Sequence, residues 1–247
     1  MVIPNLDQVE ADVQRLTLDH HRSELAVVES MLNAYLACFR EIDSLTRTAD
    51  NESEQVWLLL TNRSFNDLKW GFHLLTVGYN LQALTLIRSV YESWLVCMDC
   101  VTQPTTATLF LHGQDRMPSF ARMARRLDQP LAEWWQDNYP EGTEGPYGFL
   151  STFAHPRNRV ANSMILSGSD TVRLGPHYEE WFFLVTCYYL TFASIRMAEF
   201  LARLLPSQES TSDLQTAVQD ATTLIGNLTE RAHHLLNEDT SVRESPN

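Results

Sequence analysis

The chain has 247 residues, a formal charge of −13, and a composition that is 44% hydrophobic and 20% charged. That apolar fraction is too high for a disordered chain, and the length suits one large helical domain or two small ones. Eighteen basic against 31 acidic residues argue against a broad DNA-binding or membrane-binding surface, which needs an excess of Lys and Arg. Nine glycines are about half the usual share of ~7%, which disfavours turn-rich sandwiches and barrels.

Proline sets the organisation. None lies between Pro4 and Pro104, seven of the ten fall from Pro104 to Pro176, and 177–205 is again free of it. Because proline interrupts helix interiors, this predicts long helices at both ends and short ones in the middle. In chain order, 6–48 forms one or two amphipathic helices, with Leu25, Val28, Leu32, Tyr35, Leu36 and Phe39 at helical spacing. Asp50 or Ser53 caps the next helix, about 53–77, and Gly78-Tyr79-Asn80 marks a turn. A strong helix over 80–102 stops before Pro104. Short helices follow over 105–116, 118–127, 130–138 and 146–155, and 156–176 is a loop in which Val160 to Leu166 has the character of a short strand. Helices over 177–205 and 212–237 close the chain, with Ser-rich solvated ends at 207–212 and 240–247. The expected organisation is an N-terminal extension (1–55), a helical core (56–206) and a C-terminal helix and tail (207–247), together one all-α unit.

Met1 to Leu6 runs straight into an acidic segment without the features of a secretory signal, so a cytoplasmic location is expected. The uncharged stretches 71–87 and 181–195 fall short of the ~20 apolar residues of a membrane span and read as buried helices. Cys38, Cys97, Cys100 and Cys187 read as reduced core residues, since no second CxxC completes a zinc site. A di-iron bundle needs two Glu-x-x-His pairs, and only Glu230 to His233 fits. The phosphate-loop, dinucleotide, zincin and nucleophile-elbow motifs are absent. No cofactor and no metal ion are therefore expected. The adjacent pairs His20-His21 and His233-His234 are expected at the surface.

Two segments carry chemistry. In Ala83 to Leu95, Arg88 and Glu92 share a helix face at i, i+4, with Asp99 between them in angle, bordering an apolar arc of Ile87, Val90, Tyr91, Trp94 and Met98. Arg before Glu is the less favourable order for local helix support, so the pair calls for another reason to exist. In Pro146 to Arg159, Tyr147, Ser151 and His155 recur at i, i+4, i+8, while Phe149, Leu150 and Phe153 supply the packed side. Pro156 ends the helix just after His155, placing an imidazole at a helix C-terminus with Arg157 and Arg159 following. An imidazole titrating near neutrality beside hydroxyls and guanidinium groups suits acid–base work on a phosphate ester.

The runs Leu86-Ile-Arg-Ser-Val-Tyr-Glu-Ser-Trp94 and Tyr147-Gly-Phe-Leu-Ser-Thr-Phe-Ala-His-Pro156 look like those of a bacterial domain-of-unknown-function family that resembles the HEPN superfamily (higher eukaryote and prokaryote nucleotide-binding helical domains). The pattern is Arg-Ser-x-x-Glu on a long helix, then Leu-Ser-x-x-x-His-Pro, filled here by Arg88, Ser89, Glu92, Ser151, His155 and Pro156. The resemblance covers about 60–200 and implies a HEPN-like bundle, often dimeric, that acts on RNA without a metal in phage defence or toxin–antitoxin systems. The Arg-x4–6-His spacing of HEPN ribonucleases occurs here only from Arg15 to His20 and His21, so a shared site requires Arg and His to converge from different helices.

Two readings follow. In the first, a HEPN-like enzyme or phosphate-ligand binder, Arg88 holds phosphate, Glu92 orients it and His155 is the acid–base group. Ser151, Tyr147 and Arg157 then contact the substrate, RNA or another phosphate-bearing ligand. In the second, a non-catalytic protein-interaction module, Arg88, Glu92 and His155 form a structural network and the acidic ends bind partners. Homodimerisation is a further expectation. The aromatic run Trp181 to Phe192 reads as core in preference to a small-molecule pocket, and Arg122, Arg125 and Arg126 as a solvated basic face.

Overall fold

The computed structural model describes residues 5–46, 51–113, 117–129, 145–154, 175–205 and 208–243. Eight helices make up these residues: α1 (Leu6–Thr46), α2 (Glu52–Thr76), α3 (Asn80–Thr102), α4 (Thr105–Leu111), α5 (Phe120–Leu127), α6 (Gly145–Ala154), α7 (Glu180–Leu204) and α8 (Gln208–Arg243). No strand occurs among the described residues, so the chain is all-α, with long helices at both ends and short ones between them. The expected helix at 130–138 and the strand-like run 160–166 lie outside the described residues.

Helix ends follow local chemistry. Asn51, not Asp50 or Ser53, caps α2: its backbone is extended and its side chain accepts from the Glu54 N–H at 2.9 Å. Two carboxylates, Glu52 and Glu54, then sit in the first turn, where the helix dipole favours them. The turn after α2 depends on Gly78, at φ +85, where a Cβ would lie 2.6 Å from the His177 carbonyl oxygen. Helix α4 stops at Leu111, short of the expected 116, and Gly113 follows at φ +61. Helix α8 is longer than the expected 212–237. The Ser-rich ends read as solvated are helical over 208–212 and 240–243. Leu214, Ala217, Ala221, Leu224 and Leu228 bury one face of α8, and that docking holds helical a sequence whose own propensity is modest.

Helices α3 and α7 pack together at the centre. Helix α2 lies against both, α1 crosses α2, α7 and α8, and the short helices α4, α5 and α6 flank α3. Tyr35, Tyr91, Phe183 and Phe200 are among the largest fully buried side chains. The aromatic run of α7 is core as expected, with Phe182, Phe183, Tyr189 and Phe192 buried. Its buried Thr and Ser hydroxyls bond within the helix, Thr186, Thr191 and Ser194 each donating to the carbonyl four residues back at 2.7–2.8 Å. Among the described residues α7 alone is long and apolar enough to cross a membrane, and 78% of its most apolar window is buried inside the bundle. All four cysteines are buried and none forms a disulfide. Burial pushes the thiols of Cys38 and Cys100 up to about 11 and that of Cys187 to about 12, which leaves them protonated and unreactive.

One expectation is overturned inside α1. His20 is exposed, but His21 is fully buried and carries the only non-helical backbone in that helix (φ −132, ψ 27). Adjacent helical residues diverge by about 100°, so one imidazole faces water while the other turns into the core. There the His21 ring stacks on Phe183 with centroids 3.8 Å apart, and its Nε2 lies 3.0 Å from the Tyr178 hydroxyl.

Candidate functional site

Arg88 and Glu92 project from the middle of α3 toward α6. Four residues of helical rise place the two side chains one above the other, and Arg88 Nε donates to Glu92 Oε1 at 2.9 Å. Tyr147, in the first turn of α6, completes the cluster. Its hydroxyl accepts from Arg88 Nη2 at 3.2 Å and donates to Glu92 Oε1 at 3.4 Å, and the guanidinium carbon lies 5.4 Å from the ring centroid. The pair is thus an interhelical tie across 55–59 residues of sequence, which answers why an unfavourably ordered Arg–Glu pair is present. Both charged side chains are partly screened, at 18% and 22% exposure.

Helix α6 packs its apolar side against the bundle and so positions Tyr147. Gly145 at φ +72 starts it, and Pro146 sits in the first turn, where a missing N–H costs nothing. Phe149 stacks on Tyr189 at 4.6 Å, Phe153 meets Phe149 edge-on at 4.8 Å, and Leu150 is fully buried. Phe120 of α5 lies near the Tyr147 ring, the centroids 6.2 Å apart. Ser151, one turn beyond Tyr147, has a buried hydroxyl with no hydrogen-bond partner among the described residues. His155, Pro156, Arg157 and Arg159 lie outside the described residues.

Other members of the pattern go elsewhere. Ser89 turns away from Tyr147 and binds α2, donating to Asp67 at 2.7 Å and accepting from Arg63 at 2.9 Å. Asp99 lies between Arg88 and Glu92 in angle, but the 11 residues from Arg88 carry it about 16 Å along the axis. It is fully buried, paired with Arg126 and accepting from Thr106 at 2.8 Å. Arg126 thus reaches the buried Asp99 from the surface, and it stays exposed with Arg122 and Arg125, as expected for all three. Arg15 is exposed beside Asp12 and His21 faces Tyr178. Neither makes a contact with the Arg88 cluster, so the Arg-x4–6-His spacing of α1 builds no site there.

Sequence reasoning missed two polar clusters. In the first, Asp128 follows α5 and is 5% exposed; it accepts from the Tyr91 hydroxyl at 2.8 Å and from Arg196 Nη2 at 2.6 Å. Arg196 also lies over the rings of Trp94 and Phe192, at 5.4 and 5.3 Å. Burial raises the Asp128 carboxyl above its ordinary range, against the pull of Arg196, and also drives the Tyr91 hydroxyl upward. The only sequence signal was Tyr91 and Trp94 on one apolar arc. In the second, Glu24 pairs with Arg231 of α8, which reaches Glu180 of α7 at 2.8 Å, while His21 Nδ1 sits 3.6 Å from Glu24. Desolvation lowers the His21 titration point, opposed by Glu24.

Surface cavities lined by described residues include two between helices. One of about 570 Å³ separates α1 from α8 and includes Glu24, Asp220, Glu230 and Arg231. Another of about 400 Å³ separates α1 from α2. Neither is lined by Arg88, Glu92, Tyr147 or Ser151. No group of three or more metal-ligating side chains occurs among the described residues. No protein family, curated protein or solved structure matches the chain.

Proposed function

We propose that the α3–α6 seam is a phosphate-ligand site of HEPN-like character, with RNA as the ligand class. The observation that carries this reading is the fixed guanidinium of Arg88. Its Nε and one Nη are held by Glu92 and Tyr147, and the other Nη has no partner among the described residues. A guanidinium oriented in advance loses little freedom when it takes a phosphate oxygen. Ser151 adds a buried hydroxyl without a partner on the face of α6 that carries Tyr147. Cleavage is the further step of the same reading. The ribose 2′-hydroxyl attacks the adjacent phosphorus as a base removes its proton, and the 5′-oxygen leaves with a proton returned by an acid. His155 is assigned that acid–base role, Arg88 the charge on the phosphorane, and Arg157 a backbone phosphate.

A second reading rests on a different feature of the same cluster. Arg88, Glu92 and Tyr147 bond one another across the seam, an Arg against a Glu, as an interhelical lock in a non-catalytic interaction module would. Fluorescence anisotropy with a labelled mixed-sequence single-stranded RNA, run beside a cleavage gel and thermal melts, separates the two. Under the proposal, Arg88→Ala weakens RNA binding by about tenfold while melting within a few degrees of wild type, and His155→Ala retains binding but not cleavage. Absence of RNA binding by wild type, or equal binding by Arg88→Ala, refutes the proposal. A large loss of stability in Arg88→Ala with no RNA phenotype establishes the lock.

A further inference from the structure

We propose that the groove between α1 and α2 binds a small anionic amphiphile, an apolar chain ending in a carboxylate. The cavity there is about 400 Å³, within the roughly 300–1,000 Å³ of small-molecule sites. Its walls combine two chemistries. Leu18, Leu25, Ala26 and Phe72 give it an apolar lining, and Leu18 remains 39% exposed although it faces another helix. Arg22 of α1 and Lys69 of α2 bring one cation from each wall, and neither has an ion-pair partner among the described residues.

Those two cations run against the charge of the molecule. Lys69 is the only lysine in a chain of net charge −13, and α1 itself carries more acidic than basic residues. One carboxylate, Glu29, also lines the groove, so Arg and Lys outnumber acidic residues in the lining by one. Next to the lining residue Lys69, Trp70 is 58% exposed, the most exposed large hydrophobic side chain described, and meets the ring of His73, which lines the groove, edge-on at 5.6 Å. An indole left in water beside an apolar groove gains from any chain that covers it. A neutral apolar ligand would leave both cations unused, and a purely ionic one would leave the apolar walls wet. A chain with a terminal carboxylate uses both.

The probe is sodium decanoate below its micelle concentration, titrated into the full chain at pH 7.5 by calorimetry and by tryptophan fluorescence. The expected result is saturable one-to-one binding with a fluorescence change that Trp70→Phe abolishes while the calorimetric stoichiometry stays. Because Arg22 and Lys69 are exposed, the double variant Arg22→Gln/Lys69→Gln folds normally. It should bind decanoate between about two- and thirtyfold more weakly, the range two part-exposed ion pairs give, and bind decan-1-ol as wild type does. No saturable binding, or a decanoate affinity unchanged in the double variant, overturns the proposal. Binding only to phosphatidylglycerol vesicles, with none to monomeric decanoate, overturns it as well and assigns the face to a membrane surface.

Discussion

Replacing Arg196 with Leu tests the buried network between α3, α5 and α7. The guanidinium is 25% exposed and the Asp128 carboxylate 5%, so the pair lies mostly out of water. Removal costs a charge-assisted hydrogen bond, about 1.5–3 kcal/mol, and two cation–aromatic contacts of about 0.5–1 kcal/mol each. It also leaves a buried carboxylate with only the Tyr91 hydroxyl. Breaking a buried pair from one side costs about 3–5 kcal/mol; the partial exposure of Arg196 places the loss near the lower end, about 3 kcal/mol. Urea denaturation at pH 7 measures it. Much of that cost is the stranded charge, so adding Asp128→Asn to Arg196→Leu should recover more than about 1 kcal/mol. The pH dependence has a definite sign. Burial raises the folded Asp128 above its unfolded value, so the folded state holds the proton more tightly and gains stability as pH falls through that window. Without Arg196 the window widens upward, and the penalty should shrink between pH 7 and pH 5. A loss below about 1 kcal/mol, or no recovery with Asp128→Asn, refutes the account.

Four other outcomes follow from the geometry. The folded state keeps His21 neutral below its ordinary titration point, so wild type loses stability as pH falls below about 6.5 and the loss ends once the lowered folded value is passed. In His21→Gln that limb is missing, and melts from pH 7.5 to pH 5 should bring variant and wild type together. Gly78→Ala forces a Cβ to within 2.6 Å of the His177 carbonyl at φ +85 and should cost at least about 1–3 kcal/mol in denaturant. Tyr147→Phe keeps the ring packing but removes the bonds to Arg88 and Glu92, a loss of about 0.5–1.5 kcal/mol by the same measurement. Native protein should show no thiol reacting with Ellman's reagent, and all four reacting in guanidinium, because every cysteine is buried and none forms a disulfide.

Local pattern alone places much of this molecule. The proline map locates the long and short helices, since each proline removes an N–H that a helix interior requires, and α2, α3 and α6 begin and end within a residue or so of expectation. Helical spacing alone also puts Arg88 over Glu92, and Tyr147 on the face of Ser151. Those are statements about neighbours three or four residues apart. Spacing cannot say which helix lies opposite. That Arg88 meets Tyr147, that Asp99 goes to Arg126, and that Asp128, Tyr91 and Arg196 close a network over 37 and 68 residues are set by how the helices dock. His21 shows the difference most sharply. By composition it is a polar residue on an acidic helix, but α1 touches α7 and α8 on its inner side, and the ring that falls there is stripped of water and stacked on Phe183. The sequence determines the helices and their faces because hydrogen bonding and side-chain period are local. The tertiary structure decides which polar groups are desolvated together, because burial depends on what packs across the seam.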